Sequence, residues 1–284
     1  MRAEFRDVLG RRMRCLRAGR GPALLMIHGV GYPADVFVRN LDALGEGRET
    51  IAPDLPGQGF SEGPARWDVP PQVGMADAVI ALADQLGLER FAVLGSSLGG
   101  LVAALVALRA RDRVDALVLV GTGSTFNDPA GQPATLARVF ENGSSAYRDP
   151  SIATCRARLA NTCFRAPPAE DLLLAQITAY ALPGALESYR AIIDGVAASI
   201  GDPAASALPH LERITARTLV VIGENDPRTS RATHEAGVAR IPHARLVAYP
   251  ECGHLPFLEL PGRFNADVAA FLDASAPCAS GGRA

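Results

Sequence analysis

The sequence offers little from which a covalent or metal framework can be built. Five cysteines, Cys15, Cys155, Cys163, Cys252 and Cys278, stand at irregular spacing, without a Cys-x-x-Cys pair or a Cys/His cluster at zinc-ligand spacing. Reduced thiols, no metal and no redox pair are expected. Charge of one sign is lacking too: 28 basic residues against 30 acidic ones leave a net charge of -2, and the arginines are scattered. No basic surplus points to nucleic acid or to an anionic membrane surface. No apolar run approaches the roughly 20 residues that cross a bilayer, and the charged stretch from Met1 to Gly21 lacks the apolar centre of a signal peptide. The expected partner is a small molecule, with no nucleic acid and no membrane, and the expected location is cytoplasmic. Histidine is also scarce, five in all, which narrows the field for a general base.

What is present is apolar and periodic. With 284 residues, 48% of them hydrophobic, the chain can bury the core of one large α/β domain or two ordinary ones. Short apolar runs, ALLMIHG (23–29), RETIAPD (48–54), FAVLG (91–95) and VDALVLVG (114–121), alternate with stretches of helical periodicity at 71–86 and 98–110. That rhythm predicts βαβ units around a parallel sheet, opened by a hairpin from FRDVL and RRMRCLRAG. Residues 122–210 break the rhythm with polar, proline-interrupted, helix-favouring segments, and read as a helical insertion. The sheet pattern resumes with RTLVVIGEND (217–226) and ARLVAYP (244–250), before a last amphipathic helix from Pro261. The division expected is a core of 1–121 and 211–274, an inserted unit of 122–210, and a frayed tail of small polar residues at 275–284.

Chemistry concentrates around the doublet Ser96-Ser97. A serine hydroxyl attacks only if a base takes its proton and its position exposes it, and a sharp strand-to-helix turn flanked by glycines two residues away on either side does the latter. Gly95-Ser96-Ser97-Leu98-Gly99 has that spacing around Ser97, whereas Ser96 would need glycine at Leu94 and Leu98. Neither Gly-Lys-Ser/Thr nor Gly-x-Gly-x-x-Gly is present there, so a phosphate loop is disfavoured. His254, between glycine and proline-marked irregular backbone in ECGHLPF, is the candidate base. His28 ends an apolar strand, and His210, His234 and His243 fall in segments that read as solvent-facing. Asp226, just past a strand of the parallel sheet, is the candidate acid that orients the imidazole, with Glu224 as its rival. The oxyanion formed by attack on a carbonyl needs two N–H donors. Leu98, directly after the nucleophile, supplies one, and Val30, in the glycine-rich loop MIHGVGYPAD, is assigned the other.

These residues resemble the α/β-hydrolase fold superfamily through His28-Gly29-Val30-Gly31, the segment Asp54 to Ser61 (DLPGQGFS), the Gly95–Gly100 turn, Gly223 to Asp226 and Gly253-His254. They run in family order across roughly residues 20–275. The resemblance implies an eight-stranded, mostly parallel sheet with an antiparallel second strand, helices on both faces and a helical cap after the sixth strand. It also implies a serine hydrolase that uses no cofactor. Ser97 disfavours dehalogenases and epoxide hydrolases, which carry Asp at that position. Esterases and lactonases are favoured, on a small-to-medium, largely apolar substrate. The carbon-carbon hydrolases of aromatic catabolism are the alternative. They usually carry Asn where this chain has Ser96, Trp where it has Leu255, and a cap Arg in a stretch that here has Gln176 and Ile177. Arg156, Arg158, Arg165 and Arg190 are the arginines that could replace that cap Arg. Gly29, Ser96, Gln176 and Leu255 are the expected substrate-binding positions. A non-catalytic ligand-binding protein is the third reading.

Overall fold

The structure, a computed structural model, describes residues 1–164 and 170–274; Arg165 and the tail at 275–284 lie outside them. Eight strands form one sheet: β1 (Arg2–Val8), β2 (Arg11–Gly19), β3 (Ala23–Ile27), β4 (Glu49–Pro53), β5 (Phe91–Ser96), β6 (Val114–Val120), β7 (Arg217–Gly223) and β8 (Ala244–Tyr249). Their order across it is β1-β2-β4-β3-β5-β6-β7-β8. β2 alone runs against its neighbours, pairing antiparallel with β1 and β4, while the remaining ladders are parallel. The central strands β3 and β5 are buried along their whole length, as their unbroken apolar runs require of strands covered on both faces.

Helices α1 (Leu41–Leu44), α2 (Pro71–Gln85) and α3 (Leu98–Arg109) belong to the first half. α3 is buried from Leu98 through Ala107, so the LGGLVAALVA face-all-round apolarity is spent on packing against β5, β6 and α2. At about 1.5–3 kcal/mol per large apolar side chain buried, this helix is a main tie of the core. Between β6 and β7 come α4 (Gly123–Phe126), α5 (Gln132–Arg148), α6 (Ile152–Ala160), α7 (Glu170–Tyr180) and α8 (Ala185–Ala198), with no strand among the described residues. This stretch is the break in β rhythm seen in the sequence. Its buried residues, among them Leu172, Tyr189, Ile192 and Val196, continue the same hydrophobic cluster as the sheet. α9 (Arg231–Val238), α10 (Pro256–Glu259) and α11 (Pro261–Asp273) complete the chain. The carboxyl ends of β3, β5, β6 and β7 thus meet under the inserted helices, the edge at which α/β sheets carry their sites.

Candidate active site

Ser97 closes β5 and opens α3 with φ 55° and ψ -122°, a conformation that costs a non-glycine residue on the order of 1–3 kcal/mol. The surroundings hold it there. Its N–H donates to the Val120 carbonyl (2.9 Å), and its own carbonyl accepts from Gly100 N–H, Thr122 Oγ1 and Ser124 Oγ, each at 2.9 Å. The flanking glycines are required by proximity: a Cβ on Gly95 would collide with the Gly99 carbonyl, and one on Gly99 with the Ile27 and His28 carbonyls. Without them α3 cannot fold back so tightly over β3 and β5.

His254 and Asp226 come together from the loops after β8 and β7. His254 Nδ1 and Asp226 Oδ2 are 2.7 Å apart, with the two side chains 2% and 1% exposed. Asp226 Oδ1 accepts from Arg228 N–H at 2.8 Å, which fixes the carboxylate plane. With Nδ1–H donated to the carboxylate, Nε2 is left as the basic nitrogen, and it has no hydrogen-bond partner among the described residues. Glu224 is exposed and pairs with Arg231 at 3.0 Å, away from the imidazole. The loop carrying His254 is tied to the insertion, its N–H donating to the Thr162 carbonyl at 2.8 Å.

The N–H groups of Val30 and Leu98 have no acceptor among the described residues. Ser97, His254, Val30 and Leu98 all line one cavity of about 140 Å³. Leu136, Val139, Ile193, Val196 and Leu208 from the insertion form much of its remaining wall, so these four residues face an apolar enclosure. The loop of Val30 is braced from below by the DLPGQGFS segment. Fully buried Asp54 accepts from Arg14 Nε (2.7 Å), Ala34 N–H (2.5 Å) and Phe60 N–H (2.8 Å). Gln58 Oε1 accepts from Gly31 N–H at 2.5 Å, and His28 Nε2 accepts from Leu55 N–H at 2.9 Å. Because a backbone N–H donates to Nε2, the His28 proton sits on Nδ1, where it bonds the Gly29 carbonyl at 2.8 Å. His28 is a neutral strut.

The remaining expected positions sit behind this wall. Gly29 packs against Ser97, where a Cβ would lie 3.2 Å from the serine Cβ. Ser96, Gln176 and Leu255 are buried and, like Gly29, do not line the cavity; Ser96 Oγ and both amide atoms of Gln176 lack hydrogen-bond partners among the described residues. Arg156 and Arg190 are exposed, and Arg158 is buried without lining the cavity. Arg228, which the sequence reading passes over, does line it and forms no ion pair among the described residues. Its place two residues after Asp226 is the only signal that the sequence carried.

One expectation is corrected. His234 is not solvent-facing: α9 lays it edge-on to Phe126 with ring centroids 5.3 Å apart, and it is fully buried. Burial pushes the pKa values of both His28 and His234 below the ordinary histidine value, so both stay neutral in the fold. The unfolded chain takes up those protons below about pH 6.5, so stability is lost as pH falls through that value. Urea unfolding at pH 5.5 is expected to give a stability lower than at pH 7.5 by up to about 1.4 kcal/mol for each histidine. The His234→Gln variant should show a drop smaller by one such share, and an equal drop would remove His234 from the account.

The chain is 31% identical over 268 residues to a 2-hydroxymuconate semialdehyde hydrolase of Pseudomonas sp. (strain CF600), covering 90% of this chain and 88% of that one. It is 29% identical over 252 residues to a pimeloyl-[acyl-carrier protein] methyl ester esterase of Nitrosomonas europaea, covering 87% and 94%. A solved meta-cleavage product hydrolase superposes with a TM-score of 0.79 over 96% of this chain and 98% of that one; at 24% identity it shows the fold alone. The family model for the alpha/beta hydrolase fold matches residues 22–261, and the chain belongs to that family.

Proposed function

We propose that the protein is a serine hydrolase cleaving a small-to-medium, largely apolar carboxylic ester or lactone through an acyl-enzyme. The observation that carries this is the partnerless Nε2 of His254, backed by Asp226 at 2.7 Å, facing the cavity that strained Ser97 also lines. His254 takes the Ser97 proton as the hydroxyl oxygen attacks the carbonyl carbon. The N–H groups of Val30 and Leu98 hold the resulting oxyanion, and Asp226 stabilises the imidazolium. His254 then gives its proton to the departing alcohol, and water attacks the acyl-enzyme with the same base. Ser97 and His254 make no hydrogen bond in the resting geometry, which is ordinary before substrate tightens such a site. This chemistry draws on no metal or organic cofactor. Residues 122–210 act as the cap, supplying the apolar wall that excludes water.

A second reading has one observation in its favour. Arg228 is a cation on the cavity wall with no ion-pair partner among the described residues, suited to a substrate carboxylate such as that of a vinylogous diketo acid cleaved at a carbon-carbon bond. A panel of p-nitrophenyl esters, lactones and one dienoate ring-fission product separates the two. Ester or lactone turnover that Ser97→Ala abolishes supports the first reading. Turnover of the dienoate alone, lost in Arg228→Met through a raised KM, would replace it with the second.

A further inference from the structure

At the centre of the inserted helices lies a charge that the reaction does not account for. Arg158, on α6, is 3% exposed, and among the described residues no carboxylate pairs with it. Its Nη2 donates to the Val30 carbonyl at 3.1 Å, and its Nε and Nη1 have no hydrogen-bond acceptor among the described residues. Four tyrosine rings surround the guanidinium: Tyr32 at 4.6 Å, Tyr180 at 5.2 Å, Tyr189 at 5.6 Å and Tyr147 at 5.8 Å from its carbon to the ring centroids. Tyr147 comes from α5, Tyr180 from α7 and Tyr189 from α8, so every long helix of the insertion contributes one member. Burial pushes the phenols of Tyr147, Tyr180 and Tyr189 above their ordinary range, so these three stay neutral and offset the cation through their ring faces and phenol dipoles, with no counter-charge.

A buried ion without a counter-charge is a costly way to fill space, and an apolar side chain of the same volume would pack there without that cost. The guanidinium is directed instead at one loop. Gly31, at φ +74°, leaves the room for it: a Cβ there would lie 2.5 Å from Arg158 Nη2 and 2.8 Å from the Tyr189 ring. Tyr180 Oη donates to the Gly31 carbonyl at 2.7 Å, so two consecutive carbonyls of the oxyanion loop are held from the insertion, by Arg158 and Tyr180. The N–H of Val30 belongs to the peptide immediately before the carbonyl that Arg158 grips.

We infer that Arg158 is a positioning residue for the oxyanion hole: from the inserted helices it fixes the Val30–Gly31 peptide, and with it the aim of the Val30 N–H, and it adds positive potential beside the developing oxyanion. This rests on the reading of Val30 and Leu98 as the oxyanion donors. It makes the cap part of transition-state stabilisation as well as of substrate enclosure. In a site closed to water, such a charge acts on the transition state more than on the neutral ground-state ester.

The test uses the full chain and p-nitrophenyl butyrate. Arg158→Met is expected to lower kcat about 30- to 100-fold with KM changed less than about threefold, and Arg158→Lys, which keeps the charge without the planar fork, about 3- to 10-fold. Binding of an aryl trifluoromethyl ketone, whose tetrahedral adduct with Ser97 places an oxyanion in the hole, should weaken by the same factor as kcat/KM. A role confined to packing would lower the melting temperature and leave that parallel absent. Arg158→Met folded, with kcat within twofold of wild type, overturns the inference. If that variant does not fold, Arg158→Lys and Tyr180→Phe decide: losses in kcat that ketone binding follows sustain it, and wild-type kcat in both overturns it. A wild type without Ser97-dependent turnover would instead overturn the reading of the site on which the inference stands.

Discussion

Replacing Ser97 with alanine is expected to lower kcat for ester or lactone hydrolysis by about 10⁴-fold or more, with KM nearly unchanged and the fold intact. The magnitude follows from the unit in which Ser97 acts. In the proposed mechanism the hydroxyl forms the acyl-enzyme, so without it His254 and the two N–H donors are left to assist direct attack by water. The fold survives because the bonds that hold the strained turn run through the Ser97 backbone, to Val120, Gly100, Thr122 and Ser124, and no bond of the Ser97 hydroxyl is lost. The neighbouring serine supplies the contrast. Ser96 Oγ is buried without a partner and off the cavity wall, so Ser96→Ala should leave kcat within about threefold and stability unchanged or slightly raised. Steady-state kinetics on the two variants, with circular dichroism as the check on folding, read both outcomes.

Asp226→Asn should cost about as much, near 10⁴-fold in kcat at pH 7, by a different route. The carboxylate has two acceptor roles, Oδ2 towards His254 Nδ1 and Oδ1 towards the Arg228 N–H. Asparagine has one carbonyl oxygen and cannot serve both. If the oxygen keeps the Arg228 N–H, the amide NH₂ faces Nδ1, the imidazole proton moves to Nε2, and the base is lost. If the amide turns, two N–H donors confront each other at Arg228 in a site 1% exposed. Either arrangement leaves substrate binding largely in place, so the loss should fall on kcat. Glu224→Gln, which alters only an exposed pair with Arg231, should change kcat less than about twofold. Equal losses in the two variants would transfer the acid's role away from Asp226.

How much of this is legible in the sequence depends on whether the signal is local. The apolar runs of β3, β5 and β6 announce buried parallel strands because both faces of each strand are covered, and periodicity reports that directly. The elbow is legible because its glycines answer a backbone collision between Gly95 and Gly99 within five residues of chain. Asp226 and His254 are legible as residues just past strand ends, although their 2.7 Å approach is not. His234 misleads for a physical reason: the polar residues around it mark an exposed helix face, and its burial comes from Phe126, 108 positions earlier. Arg158 is illegible for the same reason. An arginine on an amphipathic helix ordinarily faces water. Only the convergence of Tyr32, Tyr147, Tyr180 and Tyr189, spread over more than 150 residues of chain, shows that Arg158 does not.

The central claim is that Ser97 is an activated nucleophile, and covalent capture tests it most directly. Folded wild-type protein treated with a fluorophosphonate at neutral pH should gain one adduct per chain. Peptide mass spectrometry should place it on Ser97 of the FAVLGSSLGG stretch, and both Ser97→Ala and Asp226→Asn should suppress the labelling. Folded protein that takes up no label, or carries it on Ser96 with Ser97 untouched, would contradict the account.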